Sequence, residues 1–470
     1  MQTAFDIAAD LDTPVSAYLK LRPLGARFLL ESVERGEQLG RYSFIGVGGV
    51  TEVRLQATQA HCNGEVQPAP ATRAELLRFW RDSLERAPRL RPSLQGLPFQ
   101  GGLVGATSFE MIDRLERVRN GEARGSARGS PPDGWPEAAY LSPRGILVLD
   151  NVTRSAALLH DGTEQERASL RREVISALRS SEPSLPGRRP SRHGTPTPSV
   201  ERTSFLDGVE RAKAYIRSGD IYQVVLSICF SGSCDVEPFS VYRALRLLNP
   251  SPYMYFLEFG DLSIVGSSPE ALARLEGKNA SLSPIAGTRR RGSTDEQDAA
   301  LAAELRGDPK ENAEHVMLVD LARNDLGRVA VPGSVRVHPY KTVERYSHVM
   351  HLVSGVVGTV APEHDAFDLF AAAFPAGTVV GAPKIRAAEI IAELEPQPRG
   401  IYAGTVGYFG HGGSMDQAIA IRTLVFSGGR YAFQAGAGIV ADSVPETEHE
   451  EVLAKAAALE QALTLAEEGL

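Results

Sequence analysis

Residues 434–455 read "QAGAGIVADSVPETEHEEVLAK". An apolar, strand-like run ends in Gly436, Ala437 and Gly438, and a helical pattern follows. Taken alone, the glycine turn fits a nucleotide loop, where free N–H groups and the helix dipole attract phosphate. The helix, however, opens with Glu446, Glu448, Glu450 and Glu451, which would repel a pyrophosphate unless a cation lay between. No βαβ unit follows, and no acidic residue stands about 20 residues on at a strand end. The stretch therefore argues against a doubly wound dinucleotide fold. It argues instead for an anion held beside carboxylates that share a cation.

The same helix has capping-box spacing at Ser443 and Glu446. Glu448, Glu451 and Lys455 follow on one face, and Leu453, Leu459 and Leu463 on another that reads as core. A second helix, "DPKENAEHVMLVDLARNDLGRV" (308–329), repeats the device, with Glu311 and Glu314 three apart, Pro309 in the first turn and Gly327 at the end. Each acidic pair alone reads as a solvated face. Two pairs beside glycine-rich segments argue for a hard cation, and Mg²⁺ takes carboxylate and water oxygens while leaving positions for an anionic substrate.

Working outward, 470 residues and 50.6 kDa exceed one ordinary core. The net charge of −8 argues against a nucleic-acid partner. Residues 1–12 are broken by Asp6, Asp10 and Asp12 and are no signal peptide; 369–383 is too short and too Gly/Pro-interrupted to span a membrane. Three scattered cysteines, Cys62, Cys229 and Cys234, fit neither a disulfide framework nor a zinc site. The expected location is cytoplasmic.

Residues 180–200, rich in Ser, Pro, Arg and Gly, read as a flexible linker between an N-terminal region (1–179) and a catalytic domain (201–470). Residues 120–136 read as a surface loop. Strands are expected over 222–227, 254–259, 335–339 and 431–435, and helices over 205–218, 295–305, 309–322 and 452–466. Irregular alternation without a repeat suits an α+β design with long antiparallel sheets.

Other polar residues stand in apolar surroundings. "FPAGTVVGAPK" (374–384) is no Walker loop but can offer N–H groups and the Thr378 hydroxyl to an anion. His351 lies alone on an apolar segment. Arg422, read as mid-strand in "AIAIRTLVF", needs an anionic partner, either a structural carboxylate or a ligand. Tyr402 packs or binds, and Glu270 after "GSSP" is a helix-start carboxylate or a general acid.

"GDIYQVVLS", "NPSPYMYF", "GSSPE", "SPIAGTRRRG", the 308–329 and 374–391 segments, "GIYAGTVGYFG" and 434–456 occur in one order. Together they resemble the chorismate-utilising enzymes, and within that family the synthase-subunit group of the anthranilate synthases. The match is dense over 204–466 and extends to "LLESVERGEQLGRYSFIG" (29–46). The resemblance implies two large antiparallel sheets packed together with helices outside. It implies that Glu314 and Glu451 ligate Mg²⁺, supported by Glu311 and Glu448. Gly287, Thr288, Gly436, Ala437, Gly438 and Lys455 would meet substrate carboxylates, and Tyr402 and Arg422 would grip the enolpyruvyl carboxylate beside Thr378. Glu270 would be the acid and His351 the base.

Within the family, water-using relatives carry a lysine base where Gln223 stands. Others carry a nucleophilic lysine where Ala286 stands. Ammonia attack at ring C2, giving anthranilate and pyruvate, is the expectation that remains. No glutaminase nucleophile motif is present, so a glutamine amidotransferase subunit is implied as partner, in a heterotetramer of two of each. "LLES" (Glu31, Ser32) and "NPSPYM" (Asn249, Pro252, Tyr253, Met254) match a tryptophan feedback site. A tryptophan sensor without activity would keep that motif and lose the acid, base and metal ligands, all of which are present here.

Overall fold

The computed structural model describes residues 5–33, 40–116, 118, 135–181, 192–345 and 349–470. Every strand pairing among them is antiparallel. All but three of the described strands form one hydrogen-bonded network that curls into two leaves. One leaf runs through Phe28–Glu31, Tyr253–Glu258, Leu262–Ser268, Thr423–Ser427, Arg430–Ile439 and Gln223–Ser233. The other runs through Gly102–Thr107, Thr405–Gly410, Met415–Ile419, Ala271–Glu276, Asn279–Leu282 and Val356–Thr359.

Two long strands, Tyr42–Leu55 and Ala138–Asp150, join the leaves at their paired edge. Their register shifts between Val47 and Val50, where Gly48 and Gly49 take φ of +74° and +96°. Only glycine adopts that backbone readily, and the bulge bends the pair. Alternation with period two then sorts side chains. Phe28, Val104, Leu141, Leu257, Ile264 and Val406 fill the space between the leaves, while their neighbours Leu29, Leu103, Tyr140, Phe256 and Val265 join the core beneath the helices. The architecture is α+β, as expected, with the two sheets continuous at one edge.

The helix Pro445–Glu468 packs on Arg430–Ile439 and on Pro238–Leu248. It buries Val452, Ala456, Leu459, Leu463 and Ala466, whereas Leu453 is 43% exposed, one position off the apolar stripe that the sequence reading gave it. The expected capping box does not form. Pro445 starts the helix, Val444 is the cap without a side-chain bond, and Ser443 Oγ turns back to accept from Val440 N at 3.0 Å. A third, separate sheet joins Ile285–Arg290, Val349–Val353 and Thr342–Arg345 beside the helices Asp295–Gly307 and Pro309–Gly327.

The strand expected over 335–339 shrinks to Arg336–Val337. Residues 182–191 of the expected linker, 120–134 of the surface loop, and 34–39 of the N-terminal motif lie outside the described residues. Linker residues 192–200 are tied down rather than loose: Thr197–Pro198 pairs with Phe230–Ser231, and His193 Nδ1 meets Glu467 Oε2 at 2.6 Å. No helix among the described residues is long and apolar enough to cross a membrane.

Candidate active site

Two passages of the chain between the leaves lie side by side. One leads from Leu262–Ser268 to Ala271–Glu276 with Glu270 at the bend; the other leads from Met415–Ile419 to Thr423–Ser427 with Arg422 at the bend. Backbone bonds tie them: Ile419 N donates to Glu270 O at 2.9 Å, and Ser267 N donates to Arg422 O at 3.1 Å. Ser268 Oγ adds a bond to Ile419 O at 2.6 Å. Arg422 takes φ +49°, the left-handed region that non-glycine residues seldom enter. It is therefore not mid-strand, as its apolar neighbours implied, but at the corner between two strands.

The chemistry of each bend follows from its burial. Glu270 is enclosed, and desolvation pushes its carboxyl up to about 8. Thr378 Oγ1, in the short Gly377–Val380 turn, offsets part of that rise without completing a hydrogen bond of good geometry. Arg422 has its charge disfavoured by burial, and no anionic partner for its guanidinium stands among the described residues. An acid protonated at neutral pH and an arginine in want of an anion thus share one corner.

His351 approaches from the third sheet. Its Nδ1 meets Gly287 O at 3.0 Å and Thr288 Oγ1 at 3.1 Å. With Nδ1–H donating to the carbonyl, Nε2 is the basic nitrogen. Desolvation lowers its pKa, and the Arg422 charge adds to the effect, so the ring is neutral at pH 7. Gly287 sits at a bulge with φ +66°, and a Cβ there would come within 2.9 Å of Glu311 Oε2. Glycine is what lets this strand lie against the acidic helix.

Gly436, Ala437 and Gly438 form no turn. They lie within the strand Arg430–Ile439, paired with Ser227, Leu226 and Val225. Their smallness serves close approach instead. A Cβ on Gly436 would meet the Tyr402 hydroxyl at 2.7 Å, and one on Gly438 would meet Gln223 Nε2 at 2.7 Å. Tyr402 is buried with its phenol pushed up to about 12 by desolvation, so the hydroxyl keeps its proton. Lys455 Nζ reaches back to Gly436 O at 2.9 Å and holds Glu451 Oε1 at 2.6 Å.

Beneath this floor lies a network the sequence reading missed. Arg399, 4% exposed, grips Glu395 through two nitrogens, at 2.8 and 2.6 Å. It also donates to Val379 O at 2.8 Å and Val225 O at 2.7 Å, and it lies over the rings of Phe109 and Tyr402. Glu395 accepts from Ser227 N and Oγ, while Glu110 accepts from the N–H groups of Arg399 and Gly400. A charged residue just before "GIYAG" was the available signal.

The two acidic helices face each other across Gln223, whose Nε2 donates to Glu314 Oε1 at 3.1 Å. Desolvation raises Glu314, Gln223 lowers it, and Glu311 and Glu451 raise it further; Glu448 is raised by desolvation and by Glu451. Each of the carboxylates Glu314 and Glu448 thus feels a partner on its own or the opposite helix. As placed, Glu311 is paired with Arg289 at 3.0 Å and Glu451 with Lys455, and no three metal-ligating side chains among the described residues close on one point. The donors are all carboxylate oxygens that repel one another, the kind of donor a hard divalent cation takes.

The residues expected to form an effector site lie in the same leaf as Gly436 and Gln223, toward its opposite edge. Glu31 pairs in register with Met254, and its buried carboxylate accepts from Tyr242 Oη and from Arg246 Nε at 2.8 Å. Ser32 Oγ is buried without a hydrogen-bond partner, and both residues line a surface pocket with Arg246 and Asn151. Asn249 caps the helix Pro238–Leu248, and its carbonyl accepts from Ser267 Oγ; Pro252 follows beside it. Tyr253 alone points elsewhere, its hydroxyl 3.0 Å from Asp416 Oδ1 on the opposite face of the strand.

A family model described as chorismate binding enzyme matches residues 25–461. The chain is 46% identical over 466 residues to anthranilate synthase component 1 of Thermus thermophilus, covering 98% of this chain and 97% of that one. It is 43% identical to the protein of that name from Aquifex aeolicus, covering 98% and 94%. It superposes on the crystal structure of anthranilate synthase component I from Streptococcus pneumoniae with a TM-score of 0.79 at 34% identity, covering 96% and 98%. Glycine floor, buried acid and lone arginine thus stand in a chain that belongs to the chorismate binding enzyme family, in its anthranilate synthase component 1 group.

Proposed function

We propose that this chain converts chorismate and ammonia to anthranilate and pyruvate as the synthase subunit of a two-component enzyme in tryptophan biosynthesis. The observation that carries the reading is the pair of adjacent bends that hold a protonated Glu270 and an Arg422 without an anionic partner among the described residues, with a neutral His351 near enough to Arg422 to feel its charge. A substrate there needs a group to be protonated, a proton to be removed, and a carboxylate. Arg422 and Tyr402 hold the enolpyruvyl carboxylate, with Thr288, Lys455 and the glycine strand toward the ring carboxylate.

Ammonia adds at C2 while Glu270 protonates the departing C4 oxygen, which leaves as water. His351 Nε2 then takes the C2 proton as pyruvate is eliminated and the ring becomes aromatic. General acid or base help of this kind is worth about 10²–10⁴ in rate. Glu314 and Glu451 would hold Mg²⁺, with Glu311 and Glu448 beside them; when bound, the ion neutralises charge on the substrate carboxylate. Gln223, a neutral amide bonded to Glu314, cannot activate water, and Ala286 offers no amine, so ammonia remains the nucleophile.

Ammonia comes from a glutamine amidotransferase subunit, in an assembly of two synthase and two amidotransferase chains in the cytoplasm. Tryptophan bound near Glu31, Ser32 and Met254 inhibits, with the unpartnered Ser32 hydroxyl as one contact. The test is the purified chain with chorismate, Mg²⁺ and ammonium, followed by anthranilate fluorescence. The expected result is anthranilate without any partner; a hydroxylated product, or none, overturns the reading.

A further inference from the structure

Beside Glu270 a cavity, which Arg422 does not line, opens between the strand Ala271–Glu276 and the helices Pro309–Gly327 and Ala366–Ala373. Its walls are mostly apolar, including Leu282, Leu318, Leu321 and Ala322, but four residues with polar side chains line it: Glu270, Ser283, Asp325 and Thr378. Thr378 Oγ1 is buried there without a full hydrogen bond. About 40 Å³ of the space is open to the centre of a water molecule, enough for on the order of two or three waters. A site that small, with four polar residues in its lining, suits water.

Asp325 stands in a buried pair. Lys384 Nζ holds its Oδ2 at 2.8 Å and Ala373 O at 2.8 Å, with both side chains under 10% exposed. Arg328 and Glu116, themselves paired at 2.8 Å, act electrostatically on both members, and Arg328 is 38% exposed. Burial raises the Asp325 carboxyl and lowers the Lys384 ammonium. The charged groups facing the pair are therefore Arg328 and Glu116, and they lead to the surface. A purely structural ion pair gains little from such burial, because desolvation offsets the attraction.

We propose that this cavity is a water-filled proton route, in which Asp325 passes protons from the Glu116–Arg328 surface to Glu270. The inference rests on Glu270 being the acid of the amination step. In each turnover the Glu270 O–H bond breaks and an O–H bond forms on the C4 oxygen, which departs as water. Asp325 takes a proton from solvent past Arg328 and Glu116 and passes it to a cavity water, which passes one to the Glu270 carboxylate; Asp325 is then again the carboxylate that Lys384 holds. The proton released by the new C–N group to solvent balances the one taken in. The His351 step uses no proton from this route.

That asymmetry supplies the test. Asp325→Asn combined with Lys384→Met removes the relay group without leaving a lone buried cation. Consumption of chorismate with ammonium should fall about 10- to 100-fold, less than the ~10²–10⁴ of the acid itself because the relay only resupplies it. Conversion of the supplied aminated dihydro intermediate to anthranilate should stay within about twofold of the parent. Ala322→Val, which narrows the cavity and leaves every charge, should show the same split to a lesser degree. Equal loss in both half-reactions, or no loss in either, from a variant with parental circular dichroism overturns the route; if the double variant does not fold, Ala322→Val decides alone. If the parent itself converts neither chorismate nor intermediate, the functional reading fails, and not the route alone.

Discussion

Glu270 carries a consequence for stability as well as for chemistry. Its carboxyl titrates near 4.5 when exposed and near 8 in the fold, so between those values the native state holds one more proton than the unfolded chain. Stability therefore falls as pH rises through this window, by up to about 1.4 kcal/mol per pH unit. Glu270→Gln removes the titration and keeps the shape. We expect the melting temperature of the variant relative to the parent to climb steadily from pH 5 to pH 8, while amination is lost. A difference that stays flat across that range would show that Glu270 is not desolvated as described. His351 is the mirror case, since burial lowers its pKa and it stays a competent base below the usual histidine range.

At the scale of the element, the Pro445–Glu468 helix sets its acidic residues by angle. Glu451 faces Lys455 and, across the cleft, Glu314, whereas Glu450 is rotated by about 100° and is exposed. Glu451→Gln should weaken Mg²⁺ binding by at least about tenfold, given that even supporting residues of metal sites are worth 10–100-fold. Glu450→Gln should lie within about ±0.5 kcal/mol of the parent. Titration calorimetry with Mg²⁺ on both variants reads this directly; superimposable isotherms would leave the helix with a solvated acidic face and nothing more. The same helix shows how a local signature misleads. Ser443 and Glu446 have the right spacing for a cap, but Pro445 begins the helix and the serine closes the preceding turn instead.

Across the whole molecule, the register links the two ends of the sheet. Glu31 pairs with Met254, Met254 with Ser267, and Ser267 N donates to the Arg422 carbonyl. An occupant of the Glu31–Ser32 pocket thus stands three neighbours from the corner that would hold substrate. Ser32→Ala removes one hydroxyl far from the proposed acid and base. It should raise the tryptophan concentration for half-inhibition by roughly 2- to 10-fold, the worth of one hydrogen bond, with uninhibited activity unchanged. Inhibition curves that overlay the parent's would place the effector elsewhere.

What the sequence alone determined was chemical type and local form. Periodicity placed the helices over 295–305, 309–322 and 452–466 and the strand over 431–435, because a single amphipathic stripe or alternation is a local property. The spacing of Glu311 with Glu314, and of Glu448 with Glu451, put each pair on one helical face for the same reason. The glycines of 436–438 read as an anion-binding turn and not as strand, since the groups that a Cβ on them would meet, Tyr402, Leu226 and Gln223, come together only in the fold. Arg422 read as mid-strand because its neighbours are apolar on both sides, and nothing local marks the corner between leaves. The tertiary structure alone decided that Glu270 and Arg422 occupy adjacent bends, and that Arg399 ties together segments separated by up to 289 residues. Those meetings depend on how two leaves of one sheet curl upon each other, and long-range register is set by the packing of the entire core rather than by any short stretch.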